Sequence, residues 1–231
     1  MSVAPAVDTA LLRRNSLFAV LDDTEMEAML EFAKLRRAAA EEPIFAKGDP
    51  GDSLYVILRG RVAVQTESDE AKVMLLNILD TGSLFGEIAM LDGGERTATV
   101  VAQEATELLR IDRRDFMPFL LQRPDLCVRL MTVLCERVRW TSAIIEDTVF
   151  LNVPRRLAKR ILMLSQAYGR TTDAGTRITT FVSQEDLANM LGVSRESVNK
   201  TLKQFQAAGA ISYRNGYIIL HDESFLDQVS R

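Results

Sequence analysis

The hydrophobic pattern changes its period along the chain, and its first long stretch is typical of β-strands. Between residues 43 and 112, short β-branched and aliphatic runs alternate with glycines, as in many short strands joined by tight turns. The runs are 54–58, 62–64, 73–76 and 97–101. Strands at this spacing predict an antiparallel barrel or roll. Ahead of them, Asp23 is predicted to cap a short amphipathic helix with apolar positions at Met26, Met29, Leu30 and Ala33.

Beyond Pro124 the period becomes helical. Apolar and threonine positions recur at alternating spacings of four and three, which is typical of a coiled-coil seam rather than of a wider core stripe. The seam consists of Cys127, Met131, Leu134, Val138, Thr141, Ile145 and Thr148. A second row, made of Leu126, Leu130 and Val133, is placed to pack on the strands. We therefore predict a long helix that pairs with a second copy of the chain; a helix of a single-chain bundle is the alternative.

The last third of the chain has the pattern of helices followed by a hairpin. Asn152 with Pro154 close behind it is typical of an N-cap and first helical turn. Helices are predicted at 155–167, Gln184–Leu191 and Arg195–Ala207. Asn215 followed by Gly216 is a strong signal for a type I′ hairpin turn. The predicted organisation is a strand-rich domain over 1–123, a long helix over 124–150 and a C-terminal domain over 151–231.

Charge is divided unevenly between the two halves. The net charge is −4, which by itself argues against a nucleic-acid partner. From Phe150 onward, however, eleven basic residues face seven acidic ones, a net +4, which leaves −8 for the rest of the chain. The C-terminal part is therefore predicted to meet a polyanion.

Composition indicates an ordinary globular protein, with 47% hydrophobic and 26% charged residues. No apolar run is long enough for a membrane span, and the opening segment lacks the apolar core of a secretory leader. We expect a cytoplasmic protein with no membrane partner.

The sequence offers few residues that could form an enzyme active site or a metal site. The two cysteines, Cys127 and Cys135, are fewer than the four that an iron–sulfur cluster requires, and the single histidine, His221, falls on the C-terminal hairpin. No nucleophile with a base, metal-ligand set or Walker-type loop appears. We expect no enzyme, no catalytic residue and no metal site, and both cysteines buried as apolar thiols.

The most specific motif of the N-terminal half is the cassette formed by 85–89 and 96–98. Gly86 allows a close backbone approach, and the turn through Ile88 and Ala89 can direct amide groups at phosphate oxygens. Arg96 supplies a forked cation for the phosphate, and Glu87 supplies an acceptor for a ribose hydroxyl. The spacing predicts a site for a small cyclic phosphate; a roll that has lost its ligand is the alternative.

A second motif lies in the C-terminal domain. Residues 183–188 resemble a capped helix start, and 191–194 form a tight turn into a second capped helix, the pattern of a helix-turn-helix. The inward stripe of the second helix is Val198, Leu202 and Phe205. Its exposed side carries Arg195, Glu196, Asn199, Lys200 and Lys203. Arg195 can pair with guanine, and Glu196 can accept from a cytosine amino group.

These motifs together resemble the cyclic-AMP receptor protein type of bacterial regulator within the Crp/Fnr superfamily, over residues 17–220. The cassette is also similar to those of cyclic-nucleotide-gated channels and cyclic-nucleotide-dependent kinases. The resemblance implies an α+β fold: an antiparallel β-roll, which is a jelly-roll-like double-stranded β-helix, then a long dimerisation helix and a C-terminal winged helix-turn-helix.

The resemblance also implies residue roles in the effector site. Thr141 and Ser142 correspond to the residues that contact the purine. Thr97 stands where the family has a serine that donates to the phosphate. Because threonine at that position also occurs in some cyclic-GMP sites, cyclic AMP is the expected effector and cyclic GMP stays open.

Roles at the nucleic-acid surface are implied in the same way. Arg195 and Glu196 match the family's base-reading pair, whereas Lys200 replaces an arginine and lacks its fork, which leaves the preference at that base open. Phosphate contacts are expected from Gln184, Ser194, Lys203 and Arg214.

The implied function is that of an allosteric, homodimeric transcription regulator. It would bind a palindrome of TGTGA-like half-sites in double-stranded DNA and contact RNA polymerase. A response to cyclic GMP or cyclic di-GMP, or activity without a ligand, are alternatives. A regulatory subunit that binds a cyclic nucleotide and acts on a partner protein is the alternative of a different class, and such subunits lack the helix-turn-helix.

Overall fold

The structure is a computed structural model that describes residues 7–68 and 73–231. It divides into two compact units whose boundary falls after Arg139. Residues 1–6 and 69–72, which belong to the predicted first domain, lie outside the described residues. The predicted division into 1–123, 124–150 and 151–231 stays a prediction.

The first unit begins with short helices, α1 (Thr9–Leu12), a 3-10 turn (Phe18–Val20) and α2 (Asp23–Glu31). The prediction that Asp23 caps α2 is wrong by one residue. Asp22 is the cap: its side chain accepts from the Glu25 amide at 2.8 Å, and the Glu25 carboxylate accepts from the Asp22 amide at 3.1 Å. This reciprocal box needs an acid three residues after the cap, which Asp23 does not have. Ala33 lies beyond the helix, at the start of the first strand.

Among the described residues, eight strands form the body of this unit. They are β1 (Ala33–Ala38), β2 (Pro43–Phe45), β3 (Ser53–Arg59), β4 (Arg61–Glu67), β5 (Val73–Asp80), β6 (Leu84–Phe85), β7 (Thr99–Ala102) and β8 (Thr106–Asp112). They make two four-stranded antiparallel sheets, in the orders β1-β8-β3-β6 and β2-β7-β4-β5. One apolar cluster draws side chains from both sheets, among them Ile44, Ile57, Val62, Phe85, Val100 and Leu108. The predicted antiparallel β-roll is confirmed.

Three helices complete the unit: α3 (Glu87–Asp92), α4 (Arg113–Leu121) and the long α5 (Pro124–Phe150), whose last residues belong to the second unit. The sequence pattern did not predict α4, which contains Pro118. Leu126 and Leu130 of α5 are buried in the core of the roll, as the second apolar row predicted, and Val133 is half-buried.

The prediction of two buried cysteines is wrong. Cys127 is half-buried and Cys135 is exposed. At about 100° per residue, Cys135 lies on the side of α5 opposite Leu126, which packs on the roll. Position on the helix, rather than the usual burial of thiols, therefore decides the exposure of Cys135.

The second unit contains the remaining helices and a third sheet. Its elements after α5 are α6 (Val153–Tyr168), β9 (Gly169–Thr172), β10 (Gly175–Ile178), α7 (Gln184–Leu191), α8 (Arg195–Ala207), β11 (Ile211–Arg214), β12 (Tyr217–Leu220) and α9 (Glu223–Ser230). The sheet is antiparallel, with the order β11-β12-β10-β9. Asn215 and Gly216 have φ values of 49° and 78°, as a type I′ turn requires. The predicted winged helix-turn-helix is confirmed, although β9, β10 and α9 were not predicted.

Within the described ranges, no helix combines the length and the apolar character needed to cross a membrane.

Candidate ligand cavity and nucleic-acid interface

A cavity of about 40 Å³ lies in the first unit, where β6 runs into α3. Six residues of the predicted effector site line it: Gly86, Glu87, Ile88, Ala89, Arg96 and Thr97. The structure therefore brings the two parts of the cassette together, although ten residues separate Gly86 from Arg96. Their contact with an effector stays a prediction.

Gly86 is held in a conformation that favours glycine. Its φ is +80°, and a Cβ built on it would lie 2.8 Å from Nη1 of Arg96. The Gly86 carbonyl accepts a hydrogen bond from that same nitrogen at 2.8 Å. The backbone of β6 and α3 is thus fixed directly to the guanidinium, with no room for a side chain between them.

Arg96 is a buried cation with only 3% of its surface exposed. Its Nη2 donates to Ser53 Oγ at 3.0 Å, and its guanidinium carbon lies 4.2 Å from the centre of the Phe45 ring. Burial lowers the pKa of Arg96 from its ordinary value, and Tyr55 and Asp52 act against this. Among the described residues, Nε has no hydrogen-bond partner and the nearest carboxylate oxygen, on Asp52, is 3.9 Å from Nη2. A buried guanidinium held mainly by neutral oxygens is well suited to receive an anion.

Glu87 is the matching buried acid, with no exposed surface. Neither carboxylate oxygen accepts a hydrogen bond from a described residue, although Nε of Arg137 lies 2.9 Å from Oε1 as an ion pair. Burial raises the pKa of Glu87, while Arg137 and, more weakly, Arg96 act to lower it. Buried carboxylates normally have hydrogen-bond donors around them, so these two oxygens retain unused capacity to accept hydrogen bonds.

Arg137 is a site residue that the sequence analysis missed. Besides its ion pair with Glu87, its Nη2 donates to the Leu84 carbonyl at 2.7 Å, which joins α5 to the cassette. Two signals could have identified it: a buried glutamate requires a cation, and Arg137 stands one helical turn before Thr141 on α5. Ser53 and Phe45, which hold Arg96, gave no such signal.

The remaining predicted effector residues differ in their surroundings. Thr97 is exposed at the rim of the cavity. Thr141 and Ser142 are exposed residues of α5 that belong to the second unit. Their assignment as purine contacts stays a prediction.

The helix-turn-helix is built by two side-chain caps and one glycine. Ser183 Oγ accepts from the Asp186 amide at 3.0 Å, and the Asp186 carboxylate accepts in return from the Ser183 amide at 2.8 Å. Gly192 ends α7 with a φ of +62°. Ser194 then caps α8 by accepting from the Ser197 amide at 3.2 Å. The predicted inward stripe of Val198, Leu202 and Phe205 is buried.

The predicted nucleic-acid contacts share one face of α8 and its surroundings. Exposed are Ser194, Arg195, Glu196, Lys200, Lys203 and Arg214, while Gln184 and Asn199 are half-buried. Nε of Arg195 lies 3.5 Å from Oε1 of Gln184, so the predicted residues of α7 and α8 are neighbours. Within the described part of the chain, Lys200, Lys203 and Arg214 form no ion pair. An exposed helix face with unpaired cations suits the major groove, but the individual roles stay predictions.

His221 has a structural role. Its ring nitrogens lie 2.7 Å from Ser212 Oγ and 2.7 Å from the Ala174 carbonyl, which ties β12 to its neighbours. Among the described residues, no group of three or more His, Cys, Asp or Glu side chains is placed to hold a metal ion.

Comparison with known proteins assigns a family to each unit. A cyclic nucleotide-binding domain matches residues 35–123, and a Crp-like helix-turn-helix domain matches residues 155–229. A CRP-like cAMP-activated global transcriptional regulator of Mycobacterium tuberculosis is 29% identical over 221 residues, which cover 96% of this chain and 99% of that protein. The cyclic AMP receptor protein of Thermus thermophilus is 28% identical over 220 residues, 95% of this chain and 98% of that one.

Solved structures agree with this assignment. The c-di-GMP responsive global regulator CLP of Xanthomonas campestris is 25% identical and has a TM-score of 0.77, over 87% of this chain and 99% of that one. The first domain match contains all the lining residues of the roll's cavity except Arg137, and the second contains the helix-turn-helix and most of its flanking helices.

Proposed function

The chain belongs to the Crp/Fnr superfamily of bacterial transcription regulators, and from that premise we propose that it is a homodimeric regulator that binds cyclic AMP and a palindromic operator. One observation carries the proposal. Glu87, fully buried and ion-paired through Oε1 with Arg137, lies in one cavity with the buried guanidinium of Arg96. An anion and a hydroxyl carried by the same small molecule satisfy both groups at once.

The residues present fit a cyclic nucleotide. Arg96 would hold the cyclic phosphate, and Glu87 would accept from the ribose hydroxyl. The cavity is partly open and its volume of about 40 Å³ has room for only about three waters at roughly 10–15 Å³ each. The base would therefore lie outside it. There we expect Thr141 and Ser142 to contact the purine.

The exposed apolar seam of α5 supports a dimer. Met131, Val138 and Ile145 are 55%, 65% and 59% exposed, although they follow the spacing of a buried coiled-coil row. Exposing a continuous row of large apolar side chains is unfavourable in water, and a second copy of the same helix would cover it. A two-fold dimer would present two α8 helices to successive major grooves, about 34 Å apart, and therefore a palindrome.

Sequence reading is assigned to α8. Arg195 would pair with guanine and Glu196 with a cytosine amino group, within TGTGA-like half-sites. Asn199 and Lys200 would face further bases, and Gln184, Ser194, Lys203 and Arg214 would contact phosphates. We expect the protein to act in the cytoplasm and to contact RNA polymerase.

Other effectors are the second candidate. The Xanthomonas regulator, named as responsive to c-di-GMP, is similar to this chain across both units, and Thr97 leaves cyclic GMP open. Activity without any ligand is a further alternative. A regulatory subunit acting on a partner protein is disfavoured, because such a subunit has no use for a helix-turn-helix.

Calorimetry of the full chain tests the proposal. Titrations with cyclic AMP, cyclic GMP and cyclic di-GMP are made with and without DNA carrying a palindrome of TGTGA-like half-sites. We expect cyclic AMP to bind most tightly and to bind more tightly still when the DNA is present, because linkage is reciprocal. Tighter binding of another nucleotide would reassign the effector, and equal cyclic AMP affinity with and without DNA would remove the allosteric part.

A further inference from the structure

A second and larger cavity, of about 290 Å³, lies wholly within the second unit. It is bounded by the last turns of α5, by α6 and by the end of α7. Its apolar walls are Trp140, Ile144, Leu162, Met163, Met190 and Leu191. Small-molecule sites usually begin at roughly 300 Å³ and are mostly apolar with a few polar groups. None of the residues assigned above to the effector or to DNA lines this cavity.

The polar lining of this cavity has an excess of positive charge. Arg156, Lys159 and Arg160 of α6 face a single acid, Asp147 of α5. Lys159 Nζ lies 2.5 Å from Asp147 Oδ1, so this pair neutralises itself. Two guanidiniums are left, four residues apart on one face of α6, where like charges destabilise a helix.

Neither guanidinium is satisfied within the described residues. The side chain of Arg156 donates no hydrogen bond, and its Nε is buried without a partner. The side chain of Arg160 also donates none and lies with its guanidinium carbon 5.5 Å from the centre of the Trp140 ring. Burial lowers the pKa of Arg160, with Asp147 acting against it. Both arginines are half-buried, and Arg156 Nε is a buried donor without an acceptor, which is costly. An anion between the two arginines would offset that cost and the repulsion between the like charges.

We propose that this cavity is a second ligand site, for a small organic anion with an apolar, preferably aromatic, body. Its carboxylate, sulfonate or phosphate group binds between Arg156 and Arg160. Its body packs on Trp140, Ile144 and Met163.

The position of the cavity gives this ligand a route to the DNA-binding helix. Met190 and Leu191 are the last two residues of α7, and they directly precede the turn that leads into α8. A ligand that touches α5, α6 and α7 together restrains how these helices pack. If the proposed function holds, the ligand changes operator affinity without entering the cavity of the roll.

Anilinonaphthalene sulfonate is a suitable probe, because it combines an aromatic body with one anionic group, and phenylnaphthylamine is its uncharged counterpart. Trp140 is the only tryptophan, so energy transfer from it to the bound probe reports binding near this cavity. We expect the sulfonate to bind the full chain more tightly than the amine does.

Variants then test the two arginines. The double variant Arg156→Gln/Arg160→Gln should weaken sulfonate binding about tenfold or more, the equivalent of ~1.4 kcal/mol, and leave amine binding unchanged. Arg155→Gln, an exposed arginine of the same helix, is the charge-matched control and should change the sulfonate affinity less than about twofold. None of these variants changes a residue that lines the cavity of the roll, so this test stands even if no cyclic nucleotide binds.

A second variant is independent of charge. Ala143→Leu, on the α5 wall, fills the cavity and should weaken binding of both probes. Equal sulfonate affinity in the double variant and in Arg155→Gln would overturn the proposal, as would probe binding that Ala143→Leu leaves unaltered in a folded protein.

Discussion

The two units handle charge in opposite ways. In the roll, the charges assigned to the proposed effector site are inside: Arg96 and Glu87 are 3% and 0% exposed, and each is fixed by a few contacts at set distances. In the helix-turn-helix, the framework is inside and the charges are outside, with Arg195, Lys200 and Lys203 exposed on a helix whose buried side is apolar. Buried charges interact strongly and tolerate little change, whereas exposed charges are weakened by water and salt.

An exposed residue whose substitution had a very large effect would break this contrast between buried and exposed groups. Val138 is the residue for which we expect such an effect. It is 65% exposed in the single chain, but the seam predicts that a second copy covers it. Val138→Asp would place two carboxylates together in an apolar interface, so we expect a monomer that has lost operator binding. Light scattering at micromolar concentration measures this, and a variant that remains dimeric would place the dimer interface elsewhere.

Among the variants of the roll, Arg96→Ala should cause the largest loss of effector affinity. Removing one partner of a buried charged pair typically costs about 2–5 kcal/mol, so cyclic AMP affinity should fall by a factor of about thirty or more. Arg96 also ties Gly86 to Ser53, and thermal unfolding is therefore measured alongside calorimetry. Arg110→Ala, on the same unit outside the cavity, is the control. Cyclic AMP binding equal to that of the wild type would remove Arg96 from the site.

Glu87→Gln should weaken the binding of the effector by about 1.5–3 kcal/mol, the usual range for a hydrogen bond to a charged group. The same change should stabilise the protein at neutral pH. Burial raises the pKa of Glu87 above its ordinary value of 4.5, so the folded state binds more protons than the unfolded chain. The resulting contribution to the free energy of unfolding is fully present below about pH 4.5 and is lost as pH rises through the folded pKa.

Denaturant unfolding of Glu87→Gln and of the wild type, measured from acid to neutral pH, checks this sign. The difference in unfolding free energy should move in favour of the variant as pH rises. A difference that stays constant with pH would mean that Glu87 titrates as an ordinary carboxyl group.

Arg195→Ala should have a smaller effect, about 1–3 kcal/mol, confined to one base pair of each half-site. Binding to operators mutated one position at a time would identify that pair. If the loss is equal on all sequences, Arg195 contacts phosphate and not a base.

Lys203→Ala is expected to have the smallest effect. As a phosphate contact it should weaken every DNA alike and lower the slope of affinity against salt by about one. A salt series on operator and scrambled DNA separates it from Arg195→Ala, and a loss restricted to the operator would contradict the assignment.

The two units also differ in how far the sequence predicted them. The helices Gln184–Leu191 and Arg195–Ala207 match their predicted bounds, because Ser183, Gly192 and Ser194 fix the ends through contacts within three or four residues. The cassette was predicted from the residue types at Gly86, Glu87 and Arg96 and from their spacing. Short-range caps and turns are visible in a sequence.

The features that the sequence did not predict depend on contacts between distant residues or on weak hydrophobic patterns. Arg137 meets Glu87 across fifty residues of chain, and Ser53 meets Arg96 across 43. The strands β9 and β10 have little apolar alternation, since most of their residues are half-buried or exposed. Cys135 was misjudged because composition says nothing about which side of α5 faces the roll.

The ion pair between Arg137 and Glu87 occupies a carboxylate oxygen that the proposed ligand could also use. A ligand hydroxyl that took the place of Arg137 at Oε1 of Glu87 would compete with a guanidinium 2.9 Å away, and the apparent dissociation constant would then be the intrinsic one divided by the fraction of molecules in which the pair is open. If the proposed function holds, the strength of this one ion pair contributes to the effector concentration at which the protein responds. Because Arg137 also donates to the Leu84 carbonyl, a substitution at position 137 would change this threshold together with the link between α5 and the cassette.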